Sequence, residues 1–338
     1  MARRTPFSTQ SALARFRARI ERWYESAKRD LPWRRTRDPY RIWVSEIMLQ
    51  QTRVAAAVPY FERFLERFPD APALAAAAEA EVLAAWAGLG YYSRARNLHR
   101  AAQAIAAAGF PRDYDAIRAL PGVGGYTAAA IASIAFGLPH AVLDGNVIRV
   151  LARLLAEREA VGSAAAKGRL RALADRLLDR KRPGDYNQAL MELGATVCLP
   201  RSPRCSACPV AAMCEARRRG LADRLPVKAP RATAVVIARE LLLVRRCGRC
   251  LLWQRPPDSG SMAGFWELPE TDQLPQAARR EILGHVRHTI MDRRYVAAVI
   301  RAEVMRVPRG FVWVPESGLD ALPLSTLARK ALRAAAAR

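Results

Sequence analysis

Apolar side chains return every three or four positions from about Ser11 to Ala27, where Leu13, Phe16, Ile20, Trp23 and Tyr24 alternate with arginines, a spacing that predicts an amphipathic helix. Pro32 ends it, and a second helix is expected over 39–50 with Pro39 tolerated in its first turn. Tyr40, Trp43, Val44, Ile47 and Met48 form the buried stripe of that second helix and leave Glu46 at its edge. The same period continues through Phe61 to Phe68, Glu79 to Ala87, Ser93 to Ala108 and Tyr114 to Leu120. Further helices are expected from about Gly125, from near Asn146, over an Arg-rich stretch from about Gly162 to Arg182, and over Tyr186 to Ala195. Beyond Arg217 the pattern changes. Arg217-Arg218-Arg219-Gly220 with Pro226 and Pro230 reads as a linker, and the short apolar runs Val235 to Ile237, Leu241 to Val244 and Leu251 to Trp253, separated by charged turns, predict strands. The boundaries that follow are a helical domain over 1–216, a linker over 217–230 and a strand-containing domain over 231–338.

Charge narrows the partners. The chain has 338 residues, 55 of them basic and 31 acidic, a formal charge of +24, and only five lysines: Lys28, Lys167, Lys181, Lys228 and Lys330. Such an arginine surplus suits a polyanion, because the guanidinium pairs bidentately with phosphate, although a codon-biased genome would also produce it along with the abundant alanine. Every apolar run is interrupted before membrane-spanning length, and Met1-Ala2-Arg3-Arg4 lacks the apolar segment of a secretory signal. A cytoplasmic protein, nucleoid-associated in a prokaryote, with no membrane partner and acting as a monomer, is therefore expected. In that compartment six cysteines read as ligands rather than disulfides.

Three stretches carry candidate chemistry. In Leu120-Pro121-Gly122-Val123-Gly124-Gly125-Tyr126 the glycines force a tight turn with exposed backbone amides just ahead of a helix N-terminus, which suits a phosphate; an ordinary helix connection is the plainer alternative. One helix later comes Leu143-Asp144-Gly145-Asn146, where Asp144 either caps a helix, stabilises positive charge, or does both. Glu46, flanked by Ile42 and Leu49, has its ionised form disfavoured and is a candidate general acid. Trp33 beside Arg34 offers a stacking face next to a cation, and Tyr91-Tyr92 behind Gly88 and Gly90 a wedge for a base step; core packing is the plainer reading of both. Cys198, Cys205, Cys208 and Cys214 form C-x6-C-x2-C-x5-C, too compact for a common zinc pattern and read as metal ligands, whereas Cys247 and Cys250, lacking a second pair, read as unliganded.

The hairpin followed by Asp144 resembles the helix-hairpin-helix DNA glycosylases, and Val44-Ser45-Glu46-Ile47-Met48-Leu49-Gln50-Gln51-Thr52 resembles the catalytic helix of MutY-type adenine DNA glycosylases. The resemblance implies base-excision repair: hydrolysis of the N-glycosidic bond of adenine paired with 8-oxoguanine or guanine in double-stranded DNA. In its terms Glu46 protonates the base and Asp144 stabilises the sugar cation, with Tyr126 and Asn146 around that sugar. The adenine pocket is expected from Arg29, Trp33, Arg34, Leu49, Val54 and Gln188, and DNA contacts from Gln51, Tyr91, Gly122, Gly124 and His288. It also implies a [4Fe-4S] cluster on Cys198, Cys205, Cys208 and Cys214.

Strand-cleaving relatives place a Lys at the Tyr126 position; none occurs here between Lys28 and Lys167, which favours simple hydrolysis over an endonuclease III-like lyase. Gln254-Arg255-Pro256-Pro257 and Gly264 to Pro269 resemble the family's Nudix-like C-terminal domain, without the glutamate-rich helix of active Nudix hydrolases. The fold expected is thus a mainly α helix-hairpin-helix glycosylase domain with a [4Fe-4S] loop, followed by an α+β Nudix-like domain. One departure stands out: where the family carries Phe-Ser-His shortly after a His, this chain has His285-Val286-Arg287-His288-Thr289 followed by Ile290-Met291-Asp292. His288 keeps its place but the Ser does not, Thr289 being its candidate substitute, so 8-oxoguanine recognition is less firmly implied than adenine excision. A non-catalytic iron-sulfur DNA-binding protein is the rival of a different class, disfavoured by the presence of both Glu46 and Asp144.

Overall fold

A computed structural model describes residues 7–229, 235–256, 258–259, 262–290 and 292–336. Met1 to Arg4, the Pro230/Arg231 border, Pro257 and Met291, all used in the sequence reading, lie outside the described residues. The helices in chain order are α1 (Gln10–Ala27), α2 (Pro39–Leu49), α3 (Val54–Arg67), α4 (Ala71–Ala76), α5 (Glu79–Ala85), α6 (Ser93–Ala108), α7 (Tyr114–Ala119), α8 (Gly125–Phe136), α9 (Gly145–Leu155), α10 (Ala164–Leu177), α11 (Pro183–Thr196), α12 (Glu215–Arg218) and α13 (Thr326–Ala336). The strands are β1 (Val235–Arg246), β2 (Arg249–Gln254), β3 (Trp266–Glu267), β4 (Ala278–Ile290), β5 (Arg293–Glu303) and β6 (Phe311–Pro315). Two compact units result: residues 1–77 with 93–230, and residues 78–92 with 231–338. No described helix is long and apolar enough to cross a membrane.

The first unit is helical. Its centre is α2, which packs against α8, α3 and α6, while α9 and α8 both pack on α11. Ile42 to Met48 are consequently all buried, and Glu46, expected at the edge of an apolar stripe, is only 5% exposed because neighbours cover every face of the helix. Two further expectations shift. The helix predicted from Phe61 starts at Val54 and carries Pro59 inside it, its buried stripe being Ala57, Phe61 and Phe64. The Arg-rich helix predicted over 162–182 spans only Ala164–Leu177: Ser163 caps it by accepting from the Ala166 amide at 3.1 Å, and the chain is extended at Leu178 before Pro183 opens α11. A short helix, α4, was not visible in the pattern; Asp70 caps it through the Ala73 amide at 2.8 Å.

In the second unit a six-stranded sheet has the order β3-β2-β1-β5-β4, with β6 paired to β2. Residues 235–237 and 241–244, expected as separate strands, are one strand, β1, parallel to β5 from Val235↔Arg293 to Val244↔Ala302. The charged pair between them does not turn the chain: Arg239 bonds Glu270 and Glu240 accepts from Thr271 Oγ1 at 2.8 Å, so both stay extended with their heads engaged from outside. Both faces of β1 are apolar at its C-terminal end. Leu241 and Leu243 pack with Leu252, Val299 and Ala328 of α13, and Leu242 and Val244 with Leu251, Leu274 and Ile300. Segment 78–92 belongs here, with the Tyr92 and Phe265 ring centroids 4.2 Å apart.

Candidate active site

The starts of α3, α8 and α9 and the interiors of α2 and α11 converge on a cavity of about 720 Å³ in the helical unit. Asp38 caps α2 by accepting from the Tyr40 amide at 2.9 Å, Pro39 supplies the first helical residue, and Glu46 follows two turns on. The hairpin from Leu120 to Gly124 then starts α8, so that Tyr126 is its second residue and donates its hydroxyl to Glu46 Oε2 at 2.7 Å. Gly122 is the constrained position of that hairpin. It sits at φ 76°, and a Cβ there would lie 2.6 Å from the Asn97 Cβ. Gly122→Ala is accordingly expected to destabilise the helical unit by about 1–3 kcal/mol through backbone strain and overpacking, read as a lowered thermal unfolding midpoint.

Asp144 is the N-cap of α9. Its Oδ1 accepts from the Val147 amide at 2.7 Å and its Oδ2 from Asn146 Nδ2 at 3.0 Å. Asn146 in turn accepts from Arg149 Nη2 at 2.8 Å, and Arg149 donates to the carbonyls of Gly194 and Cys198, each at 2.7 Å. Gly194 lets α11 lie against that cap, since a Cβ would meet the Asn146 Cβ at 2.6 Å. A continuous hydrogen-bonded path thus joins the Asp144 carboxylate to the backbone of the first cysteine.

The carboxyl groups of the cavity have different environments. Burial raises Glu46 to about 7, against the Tyr126 hydrogen bond that lowers it and with the Asp144 charge adding to the rise. Burial also raises Asp144, opposed by the Val147 amide, the Asn146 bonds and the nearby Arg149. Glu192, on α11 with a fully buried side chain, goes the other way: burial alone would raise it, but bonds from Arg29 Nε at 2.6 Å, Arg29 Nη2 at 2.8 Å and Arg34 Nη2 at 2.7 Å hold it below the ordinary carboxylate value. Near neutral pH the cavity therefore holds one carboxyl poised to give up a proton and one firmly ionised, the division that acid–base chemistry needs.

Arg29, Trp33, Arg34, Leu49, Gln51, Val54, Gly122, Gly124, Tyr126, Asp144, Asn146 and Gln188 all line this cavity beside Glu46. Trp33 forms a wall, buried and edge-on to Phe61 with centroids 5.3 Å apart, and Arg34 is engaged by Glu192 and by the Arg29 carbonyl at 3.1 Å. Sequence reasoning passed over Met191 and Glu192; Glu192 lies four residues after Gln188, one turn along the same helix face, which was the available signal. Tyr91 and His288 belong to the other unit. Tyr91 is 46% exposed at φ 48°, and half-buried His288 lines a separate concavity with Arg287, Thr289, Arg294 and Lys330, where burial and then the Lys330 charge lower its pKa.

Cys198, Cys205, Cys208 and Cys214 are partly buried and free of disulfides. Burial pushes the Cys208 thiol up to about 11, and the charges of Cys198, Cys214 and Cys205 add to the rise, so all four sulfurs lie within electrostatic reach of one another. Buried Arg153 donates to Cys198 Sγ at 3.2 Å and to the Leu199 carbonyl at 2.7 Å. Among the described residues no three or more His, Cys, Asp or Glu converge as one metal ion requires. Cys250, by contrast, is a fully buried strand residue, and Cys247 is exposed in the β1–β2 turn.

Comparison with known proteins agrees in both units. Residues 44–174 match the HhH-GPD superfamily base excision DNA repair protein family, and residues 240–334 match the NUDIX domain. The adenine DNA glycosylase of Homo sapiens is 34% identical over 97% of this chain and 75% of its own length, and that of Mycolicibacterium smegmatis 46% identical over 56% and 65%. Among solved structures, a thermostable thymine-DNA glycosylase superposes with a TM-score of 0.55 at 29% identity, over 61% of this chain and 97% of that one. A trapped endonuclease III–DNA covalent intermediate, at 22% identity and a TM-score of 0.54 over 63% of this chain and 99% of that one, shares the fold.

Proposed function

This chain belongs to the adenine DNA glycosylases, base-excision repair enzymes that hydrolyse N-glycosyl bonds, and on that footing we propose that it removes adenine opposite 8-oxoguanine or guanine without cutting the strand. The observation that carries the proposal is Glu46: a buried carboxyl raised to about 7, bonded to Tyr126, in the same cavity as Asp144. Adenine enters between Trp33, Leu49, Val54 and Gln188, whose amide pairs with the base edge, while Glu192 fixes Arg29 and Arg34 at the pocket wall. Glu46 gives its proton to the ring, which turns the base into a neutral leaving group and leaves an oxocarbenium-like sugar. Asp144, fixed by Val147 and Asn146, faces that charge and helps orient the attacking water.

Among the described residues no Lys lines the cavity, and the second residue of α8 is a phenol engaged with Glu46, so no amine is placed there to form a Schiff base with the sugar. Borohydride is therefore expected to trap no protein–DNA adduct, and the abasic product to stay uncut until alkali is added; a trapped adduct would overturn the monofunctional reading. The Gly122–Gly124 turn is assigned to backbone phosphate, Gln51 to the strands near the target, and Tyr91 and His288 to the opposite base, the enzyme acting as a monomer on duplex DNA in the cytoplasm or nucleoid. In this reading 1–216 is the glycosylase domain, 217–230 a linker and 231–338 the mismatch-recognition domain.

Cys198, Cys205, Cys208 and Cys214 would hold a [4Fe-4S] cluster, which when bound ties the 198–214 loop together. Arg153 and Arg149 connect that loop to α9 and so to the backing of Asp144. Chemical analysis is expected to find iron and sulfide in equal amounts in the purified protein and a loss of both in Cys205→Ala; zinc in their place would contradict the assignment.

A further inference from the structure

The helix bearing Glu46 ends in an unusual way. Its last carbonyls lack helical partners, and the chain then places Gln51, a non-glycine residue, at φ 58°. That turn contains no glycine and is closed by the Thr52 amide, which donates to the Leu49 carbonyl at 3.3 Å. A guanidinium from another helix secures the same turn from behind: Arg94, the second residue of α6 and 9% exposed, sends Nη1 to the carbonyls of Ile47 at 2.8 Å, Met48 at 3.1 Å and Gln50 at 2.5 Å. A buried cation at a helix C-terminus also meets the negative end of the helix dipole, so the contact is favourable electrostatically as well as geometrically. On the other side Gln50 Nε2 donates to Thr127 Oγ1 at 3.3 Å, tying the same turn to α8. Gln51 is exposed and lines the catalytic cavity, so it stands on the rim past which a base must move to reach Glu46.

We infer that Arg94 is a positioning residue for base extrusion: it holds the Gln50–Gln51 turn in its left-handed conformation and thereby presents the Gln51 side chain to the duplex beside the target base. Arg94 is not among the residues that line the cavity. The inference rests on the glycosylase reaction proposed above and adds to it a residue acting only through Gln51. A left-handed non-glycine residue is strained, and it persists where its surroundings over-determine it; the three carbonyls held by one guanidinium add that constraint to the Thr52–Leu49 turn bond.

The test is a double-mutant cycle on the full-length protein, using single-turnover adenine release from an A·8-oxoguanine duplex and the fluorescence of a 2-aminopurine placed next to the target adenine. Arg94→Met is expected to slow release by roughly tenfold to a hundredfold and to abolish the rise in fluorescence on binding, because the rim is no longer held. Arg94→Lys, which can still donate to the same carbonyls, restores both signals in large part. In a Gln51→Ala background Arg94→Met changes the rate by less than about threefold, the coupling expected of two residues working as one unit. An equal loss with and without the Gln51 side chain, or wild-type fluorescence and rate in Arg94→Met, overturns the proposal. If Arg94→Met fails to fold, Arg94→Gln is read through the same cycle with the same criteria. Release of no adenine by the wild-type protein from any mispair would instead overturn the reaction itself, so the two failures are distinguishable.

Discussion

Glu46→Gln is expected to lower single-turnover adenine release by ~10²–10⁴-fold while leaving binding to mispaired duplex intact, the loss typical of removing a positioned general acid. Gln is isosteric and can still accept the Tyr126 hydroxyl bond that Glu46 Oε2 receives at 2.7 Å, so the cavity keeps its shape and loses only the proton. The same variant has a signature in stability. Glu46 is raised from 4.5 in the unfolded chain to about 7 in the fold, so between those values the folded protein holds a proton that the unfolded chain has released. That contribution is fully present below about pH 4.5 and is lost as pH rises through about 7, where a bare carboxylate is left in a buried site. Glu46→Gln never carries that charge. Denaturant unfolding is expected to find it more stable than wild type at pH 8, by up to about 3 kcal/mol, with a smaller gain at pH 5. A gain larger at pH 5 than at pH 8 would contradict the buried-acid assignment.

Asp144→Asn is the second large effect, a fall of ~10²–10³-fold in adenine release as a fixed negative charge facing the sugar cation disappears. Asn caps helices as well as Asp, so α9 is expected to keep the first-turn bond that Val147 now gives at 2.7 Å, and unfolding should move little. Asp144→Ala removes cap and charge together and is expected to lose about 1 kcal/mol of stability in addition to the activity. The pair of variants separates the two roles open to this residue. Full activity in Asp144→Asn would reduce it to a helix cap.

What could be read from residues alone follows from how each feature is encoded. The helices α1, α2, α6, α7, α8 and α9 declare themselves by apolar period and by Pro, Gly and Asp at their ends, all local signals. Glu46, Asp144 and the four cysteines sit in strings whose order carries the chemistry. Depth of burial was not encoded locally. Glu46 looked like the edge of a stripe, and only the packing of α3, α6 and α8 around α2 closes it off. Glu192 carried no reading of its own, because the residues that hold it, Arg29 and Arg34, lie about 160 positions earlier. Arg94 was hidden for a different reason: its partners are backbone carbonyls 44 to 47 positions away, and carbonyls leave no trace in a sequence. Strand β1 was split at Arg239-Glu240 because two adjacent charges mimic a turn, yet their engagement by Glu270 and Thr271 satisfies both in an extended chain.

The chemistry proposed here reduces to a proton delivered by Glu46 and a cation met by Asp144, and the most direct measurement is free adenine released in a single turnover from an A·8-oxoguanine duplex, followed as a function of pH. The expected result is a rate that declines as pH rises through about 7, the value burial gives Glu46, with the DNA strand whole until alkali is added. No free adenine at any pH, or a release rate indifferent to pH across that range, would contradict it.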